Sequence, residues 1–477
     1  MVIMLFHFNY LSAQNYFGVV LDNYSGVNSL QANPAGICYQ PFKFDINILG
    51  VDAYINNNNF YTDATNTVKL LFSSSLNKLV LKNNKYNPDA ANVGDFTLNA
   101  DIKPNGYAFG GLTINGPSVL YAITKKKSVA FSINYRNAFN ITQLLPLTAK
   151  ILFEGPSYNS LRNQKYDFLN AKFSFANWIE TGISYAQVVG RDKKYVQKLG
   201  GSFKVLWGLN GGYIFDNGFN GDNTNGRDLI LKNSSFNYAY AGPNNDKKTV
   251  SSDINALRGM GASIDFGYII QRKNNQNLIA CPDMYKINEE TTNYRWKAGI
   301  SLLDFGAINF NQSAFSTAVS NANLNWYKYD TIFKQDLFKI DSVFKSYLGS
   351  NQVKSSNNFW MVLPAALSLQ FDYKLNDIFF LNTTFIQRLT PAKLGSLSRM
   401  NTIVFSPRFE TPNLSFNLPI SLIEYKDVNF GAAIRYKYLT IGSDRIGETL
   451  GFQTVYGANV YLLLKFNILS KSGKSSF

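Results

Sequence analysis

Tyr456-Gly457-Ala458-Asn459-Val460-Tyr461-Leu462-Leu463-Leu464-Lys465-Phe466-Asn467-Ile468 decides how this chain is read. Every even position is apolar, whereas Gly457, Asn459, Lys465 and Asn467 hold odd positions. Successive side chains of a strand point to opposite faces, so a period of two means one greasy face and one polar face. The run also exceeds the ~9–11 residues that a tilted strand needs to cross a bilayer, and most strands of soluble sandwiches are shorter, at ~5–6.

The alternation recurs outward from this stretch. Val428, Phe430, Ala432, Ile434, Tyr436 and Tyr438 alternate with Asn429, Gly431, Arg435 and Lys437. Val129, Phe131, Ile133 and Tyr135 oppose Ser128, Ser132, Asn134 and Arg136, and Ile264, Phe266, Tyr268 and Ile270 oppose Ser263, Asp265 and Gly267. Such segments cover 42–56, 94–103, 107–124, 128–141, 171–188, 197–216, 257–272, 292–310, 359–374, 377–388, 400–409, 413–423, 427–440 and 453–468. They predict an all-β, transmembrane antiparallel barrel of about fourteen strands with a polar interior. Short polar turns at Thr124–Lys127, Arg191–Lys194 and Lys374–Asp377 supply one rim, and the connections 57–93, 142–170, 217–256, 273–291 and 311–358 the other. Within the last, Ile332, Phe333, Leu337, Ile340, Val343, Phe344, Tyr347 and Leu348 recur at helical spacing and predict a short helix capping the mouth.

Composition agrees. Only 16% of the 477 residues are charged, against roughly 25% in soluble globular chains, while aromatics reach 15%. Something other than water solvates part of this surface. No window of 18 consecutive apolar residues offers a spanning helix. Tyr135, Trp178, Trp207, Trp296, Trp360 and Tyr438 fall near strand ends, as interfacial girdles do. Residues 1–14 read as a secretory leader, apolar from Met1 to Phe8 and ending in the small residues Ser12 and Ala13. The expected organisation is leader 1–14, an amino-terminal plug over 15–40, barrel over 41–470 and a polar tail over 471–477.

Ala32-Asn33-Pro34-Ala35-Gly36, just before the first strand, resembles the amino-terminal hatch signature of FadL-type and PorV-type outer-membrane barrels. Pro34 fixes one backbone dihedral and Gly36 relaxes another, which suits a rigid bend. Gly116-Pro117-Ser118, Leu199 to Lys204, Gly211-Gly212-Tyr213, Leu302 to Gly306, Leu439 to Asp444 and Tyr456 to Tyr461 resemble a Bacteroidota family of PorV-related barrels. The resemblance implies a fourteen-stranded barrel, a hatch folded into its lumen and an outer-membrane location.

Chemistry is constrained by what the chain lacks. Its one histidine, His7, lies in the leader, so imidazole-dependent triads and zinc sites have no foundation, and no metal or cofactor is expected. Asp265 and Asp304 sit at inward strand positions where Arg136, Lys204, Lys297 and Arg435 can neutralise them; such groups brace a lumen more readily than they catalyse. Cys38 and Cys281 either pair across 242 residues or remain separate thiols. The net charge of +15 is scattered with no basic run longer than three, so the expected partners are membrane lipid and lipopolysaccharide rather than nucleic acid. Two functions follow. Long loops carrying Phe, Tyr and Asn favour a PorV-like accessory scaffold for secreted or surface proteins, as in type 9 secretion. The alternative is a FadL-like passive transporter of hydrophobic small molecules.

Overall fold

The computed structural model describes residues 17–20, 22–61, 80–81, 97–100, 106–144, 162–167, 171–243, 257–274, 292–328, 337–349, 351–391 and 393–469. The expected leader with His7, the tail 471–477 and Cys281 lie outside them.

The alternating segments form strands, and the strands close into a fourteen-stranded antiparallel barrel. In chain order they are β1 (Phe42–Asn57), β2 (Gly106–Asn115 with Ser118–Thr124), β3 (Lys127–Leu144), β4 (Lys172–Arg191) and β5 (Tyr195–Asp216). There follow β6 (Gly259–Lys273), β7 (Tyr294–Phe310), β8 (Phe359–Val362 with Ala366–Lys374), β9 (Phe379–Arg388) and β10 (Thr402–Glu410). The last are β11 (Leu414–Asn417 with Ile420–Ile423), β12 (Asp427–Phe430 with Ala432–Tyr436), β13 (Leu439–Ser443) and β14 (Gly457–Leu469). Closure is made by β1 against β14, where Phe42 faces Leu469 and Ile46 faces Phe466.

Register explains which face meets lipid. Phe466, Ile46, Val119, Phe131, Ile183, Phe203, Ile264 and Phe305 are cross-strand partners in sequence, an unbroken apolar row around β14 and β1 to β7. Ile183 is 66% exposed, Phe203 54% and Phe305 58%. Meanwhile Ser184, Ser202, Asp265, Arg408, Arg435 and Lys465 are buried. A chain with charges inside and phenylalanines outside is inverted with respect to water, and closing the sheet leaves no strand edge unpaired in lipid. No helix among the described residues is long and apolar enough to cross a membrane.

Four expectations need correction. Connection 273–291 leaves β6 at the short-turn rim and not at the other one, since Lys273 N donates to the Lys194 carbonyl of the Arg191–Lys194 turn at 2.8 Å. Segment 94–103 is not a barrel strand: Thr97–Ala100 pairs with Phe60–Tyr61 and Val80–Leu81 in a small separate sheet. Segment 427–440 is two strands, β12 and the start of β13, turning at Lys437 and Tyr438 with Lys437 at φ +49°. A two-residue turn preserves parity, so alternation runs through it unbroken, and these two errors cancel in the strand count. Trp178 is no girdle residue; it is fully buried, sharing the inward parity of Ser174, Glu180 and Ser184. Trp360 and Tyr438, by contrast, are exposed.

Connections read as loops also contain strands. Asp228–Ala241 pairs with the outer end of β5 and with Ala314–Trp326, raising the sheet beyond the barrel on the long-loop rim. Helix α1 (Leu337–Tyr347) forms where helical spacing predicts one; it lies on this extension, a position the spacing did not indicate, burying Phe344 against Leu231, Val319 and Trp326. Asp341 of α1 accepts from Tyr238 Oη at 2.9 Å and Thr317 Oγ1 at 2.8 Å, fixing the helix in place.

Phe203→Arg is expected to cost about 2–4 kcal/mol in lipid vesicles, the penalty for a cation on the bilayer face of a barrel. Ser202→Ala, one position along and facing inward, should cost only about 1 kcal/mol, the Ser184–Ser202 hydrogen bond. Urea unfolding followed by tryptophan fluorescence measures both, and equal costs would contradict the assigned orientation.

Candidate functional site: the plug and the lumen charge clusters

Residues before β1 run inside the barrel as two short 3-10 helices, Gly26–Gln31 and Pro34–Ile37. Asn33 caps the second, its Oδ1 accepting from Ala35 N at 3.0 Å, and Pro34 occupies the first helical position, where its missing N–H costs nothing. The Asn33 amide then reaches the wall, donating to the Tyr268 and Ile300 carbonyls at 3.3 Å and to Gln370 Oε1 at 3.0 Å. The Ala32 carbonyl accepts from Ser301 Oγ at 2.5 Å and Gln370 Nε2 at 3.1 Å. Gly36 lets the two helices approach, since a Cβ there would stand 3.0 Å from the Ser29 side chain.

The wall beneath Asn33 and Pro34 is bare. A Cβ at Gly200 of β5 would come 2.5 Å from Ala35 N, one at Gly267 of β6 would overlap Asn33 and stand 2.9 Å from Pro34 Cδ, and one at Gly299 of β7 would lie 3.0 Å from Asn33 Nδ2. Three glycines on adjacent strands therefore form a seat for the motif. Apolar contacts hold the flanks: Val27, Ile37 and Cys38 pack on Leu120, Ala130 and Val196, and Val19 and Val20 on Tyr461 and Leu463. Burial pushes the Cys38 thiol up to about 11, and its Sγ donates to the Lys126 carbonyl at 3.1 Å.

Beside the plug, on its long-loop side, Asp304 organises the first charge cluster. Two residues of β7, Leu303 and Asp304, stand opposite Asp265 of β6, and Asp304 adopts φ +54° with its N–H donating to Asp265 Oδ1 at 2.7 Å. This bulge turns both side chains inward and re-aims a carboxylate. Asp304 takes a two-pronged contact from Arg136 at 2.9 and 3.1 Å, and meets Lys204 at 3.0 Å and Arg399 at 2.5 Å. Lys204 also meets Asp265 at 2.7 Å, and Arg136 meets Glu180 at 3.3 Å while stacking over Trp178. Three cations oppose three carboxylates.

Lys297 and Arg435 belong elsewhere. On the short-turn side, Arg408 contacts Asp372 at 3.1 Å and Glu410 at 2.6 Å, Lys297 contacts Asp372 at 3.5 Å, and Arg435 contacts Asp22 of the plug at 3.6 Å. Glu410 in turn accepts from Asn23 N at 2.9 Å, and Asp22 from Ser415 Oγ at 2.9 Å. Plug and wall thus share one ionic network. The anticipated lumen residues split into two groups, Arg136, Lys204, Asp265 and Asp304 in one, Lys297 and Arg435 in the other. Sequence reasoning missed Glu180, Asp372, Arg408 and Glu410, although strand parity with Ser184, Ser368 and Ser406 marks them inward. Arg399 comes from the irregular segment 389–401, which offers no periodicity to read.

The plug lines two chambers. One holds Arg136, Lys204, Asp304 and Arg399; the other, nearer the short turns, holds Lys198, Lys297, Gln370 and Asp372. Above the first, Trp178, Leu206, Phe310, Met361, Leu363 and Leu397 make an apolar layer toward the long-loop rim.

With that geometry established, residues 34–444 match a family of unknown function, DUF5723. The chain belongs to that family. No curated protein matches it. Similar solved structures include the Pseudomonas putida toluene transporter TodX, at 8% identity and TM-score 0.41 over 94% of this chain and 95% of that one. A Pseudomonas aeruginosa FadL homologue is 9% identical, with TM-score 0.39 over 95% and 96%. The CymD monoaromatic hydrocarbon channel is 8% identical, with TM-score 0.31 over 96% of each.

Asp304→Ala strands Arg136, Lys204 and Arg399 without their shared carboxylate and is expected to cost about 3–5 kcal/mol, the usual penalty for breaking a buried pair from one side. Thermal denaturation in detergent reads it, and a loss below about 1 kcal/mol would show the cluster to be solvated. Gly267→Leu should lift the plug from its seat. In a Cys281→Ser background, Cys38 resists maleimide in the native barrel at pH 7.5 and becomes reactive in this variant; unchanged protection would mean that the glycines are not the seat.

Proposed function

We propose that this protein is a plug-gated outer-membrane conduit, carrying small hydrophobic or amphipathic molecules in the manner of FadL-type barrels. One observation carries the reading: the plug rests on a glycine seat between two chambers, so a modest displacement joins spaces that it now divides. Its central grip on the wall is a set of hydrogen bonds made by Asn33, Ala32 and Gln370, which water can replace at little net cost. The route supported by the lining runs from the apolar layer around Trp178 and Phe310, past the Asp304 cluster, to the short-turn side. In an outer membrane, that side faces the periplasm and the raised sheet faces outward. Residues 15–40 are then the hatch and 41–470 the barrel. Such passage requires no catalytic group.

The sheet extension favours a second reading. Asp228–Ala241, Ala314–Trp326 and α1 rise beyond the barrel and display Tyr327 and Tyr347, 67% and 52% exposed. A platform of this kind suits a PorV-like scaffold that holds surface or secreted proteins.

Uptake into proteoliposomes separates the two. A conduit moves a small aromatic hydrocarbon or a medium-chain fatty acid faster than empty vesicles do, and Asn33→Ala, which loosens the plug, raises that rate. A barrel that conducts neither compound in either form, yet co-purifies with a surface protein lost on deleting α1, is a scaffold.

A further inference from the structure

The chamber nearer the short turns holds a charge for which the fold supplies no partner. Lys198 of β5 is only 4% exposed, points into the lumen by strand parity and lines this chamber. Its one contact of note is with the Tyr39 ring of the plug, 5.4 Å from the ammonium. Other inward lysines are matched: Lys204 to Asp265 at 2.7 Å, Lys465 to Asp45 at 2.8 Å and Lys297 to Asp372 at 3.5 Å. Among the described residues, no carboxylate or hydrogen-bond acceptor reaches Lys198 Nζ. The ammonium therefore opens onto the chamber and not onto a counter-charge, although the chain spends carboxylates freely elsewhere in the same lumen.

The surroundings do not repel an anion. Asp22 and Asp372 also line the chamber, but Arg408 and Arg435 neutralise them together with Lys297, and the neighbouring Cys38 thiol is neutral because burial lifts it to about 11. Lys198 is the cation left over. Its chamber is also lined by Lys297 and Gln271.

We propose that this chamber is a binding site for a small oxyanion, a phosphate or carboxylate group that takes a charge-assisted hydrogen bond from Lys198 Nζ with Lys297 beside it. Tyr39 and Gln40 of the plug form the facing wall, so the bound group sits where plug and barrel meet. The site stands whether or not the barrel conducts.

The test uses the full-length barrel in detergent, titrated calorimetrically with sodium phosphate and, separately, sodium acetate at constant ionic strength against sodium chloride. Saturable binding of either anion is expected, weakened about tenfold or more in Lys198→Met, as loss of one charge-assisted contact implies, and retained in Lys198→Arg. Phosphate alone binding identifies a phosphate site, and acetate binding as well identifies a general carboxylate site. No saturable binding of either anion, or equal affinity in Lys198→Met, overturns the proposal. Should that variant fail to fold, acetylation of the native barrel gives the answer: either anion slows modification of Lys198 in peptide mass mapping, and an unprotected Lys198 refutes the site.

Discussion

Hydrocarbon cannot satisfy a backbone N–H or C=O, and everything else in this structure follows from that. A sheet in lipid must close on itself, and here the pairing of Phe42 with Leu469 makes the closure. Closure forces a choice of face at every position. The row from Phe466 through Ile46, Phe131 and Phe203 to Phe305 goes outward, and serines, asparagines and charges go in. The hydrophobic effect acts in reverse sense to that in a soluble protein, with the greasy face kept outside by its lipid solvent.

The lumen then has to be filled at low dielectric cost. Two clusters do this with matched charges: Arg136, Lys204 and Arg399 against Glu180, Asp265 and Asp304, and Lys297, Arg408 and Arg435 against Asp22, Asp372 and Glu410. The second cluster includes a plug carboxylate, so seating the plug and neutralising the wall are one process. Between the clusters, the Ala32–Gly36 motif lies on Gly200, Gly267 and Gly299, where the wall offers backbone instead of side chains. The polar contacts at the centre of the plug can exchange with water, whereas Val27, Ile37 and Cys38 at its flanks are held by apolar packing. On the proposed conduit reading, that exchange makes the plug the moving part.

Much of this was legible in the residues. Alternation located the strands from β5 to β11 closely, and helical spacing located α1. It failed where the signal is degenerate. The turn at Lys437 preserves parity and so hid a strand boundary, and 94–103 alternates like a barrel strand although Thr97–Ala100 pairs with Phe60–Tyr61 instead. Asp228–Ala241 and Ala314–Trp326 were read as loop because their partners lie far along the chain. Trp178 was misplaced because its type outweighed its parity.

The sequence by itself determined that the chain is a lipid-facing barrel, because a period of two over long segments admits few other solvents, and that it holds a single histidine, His7. It also marked Pro34 and Gly36 as a bend. Only the tertiary structure decided which cation meets which carboxylate, that a bulge at Asp304 gathers three of them, that three glycines from adjacent strands form one seat, and that Lys198 is left without a counter-charge. Those facts depend on register between strands distant in sequence, and register is set by the closed pairing of the whole sheet.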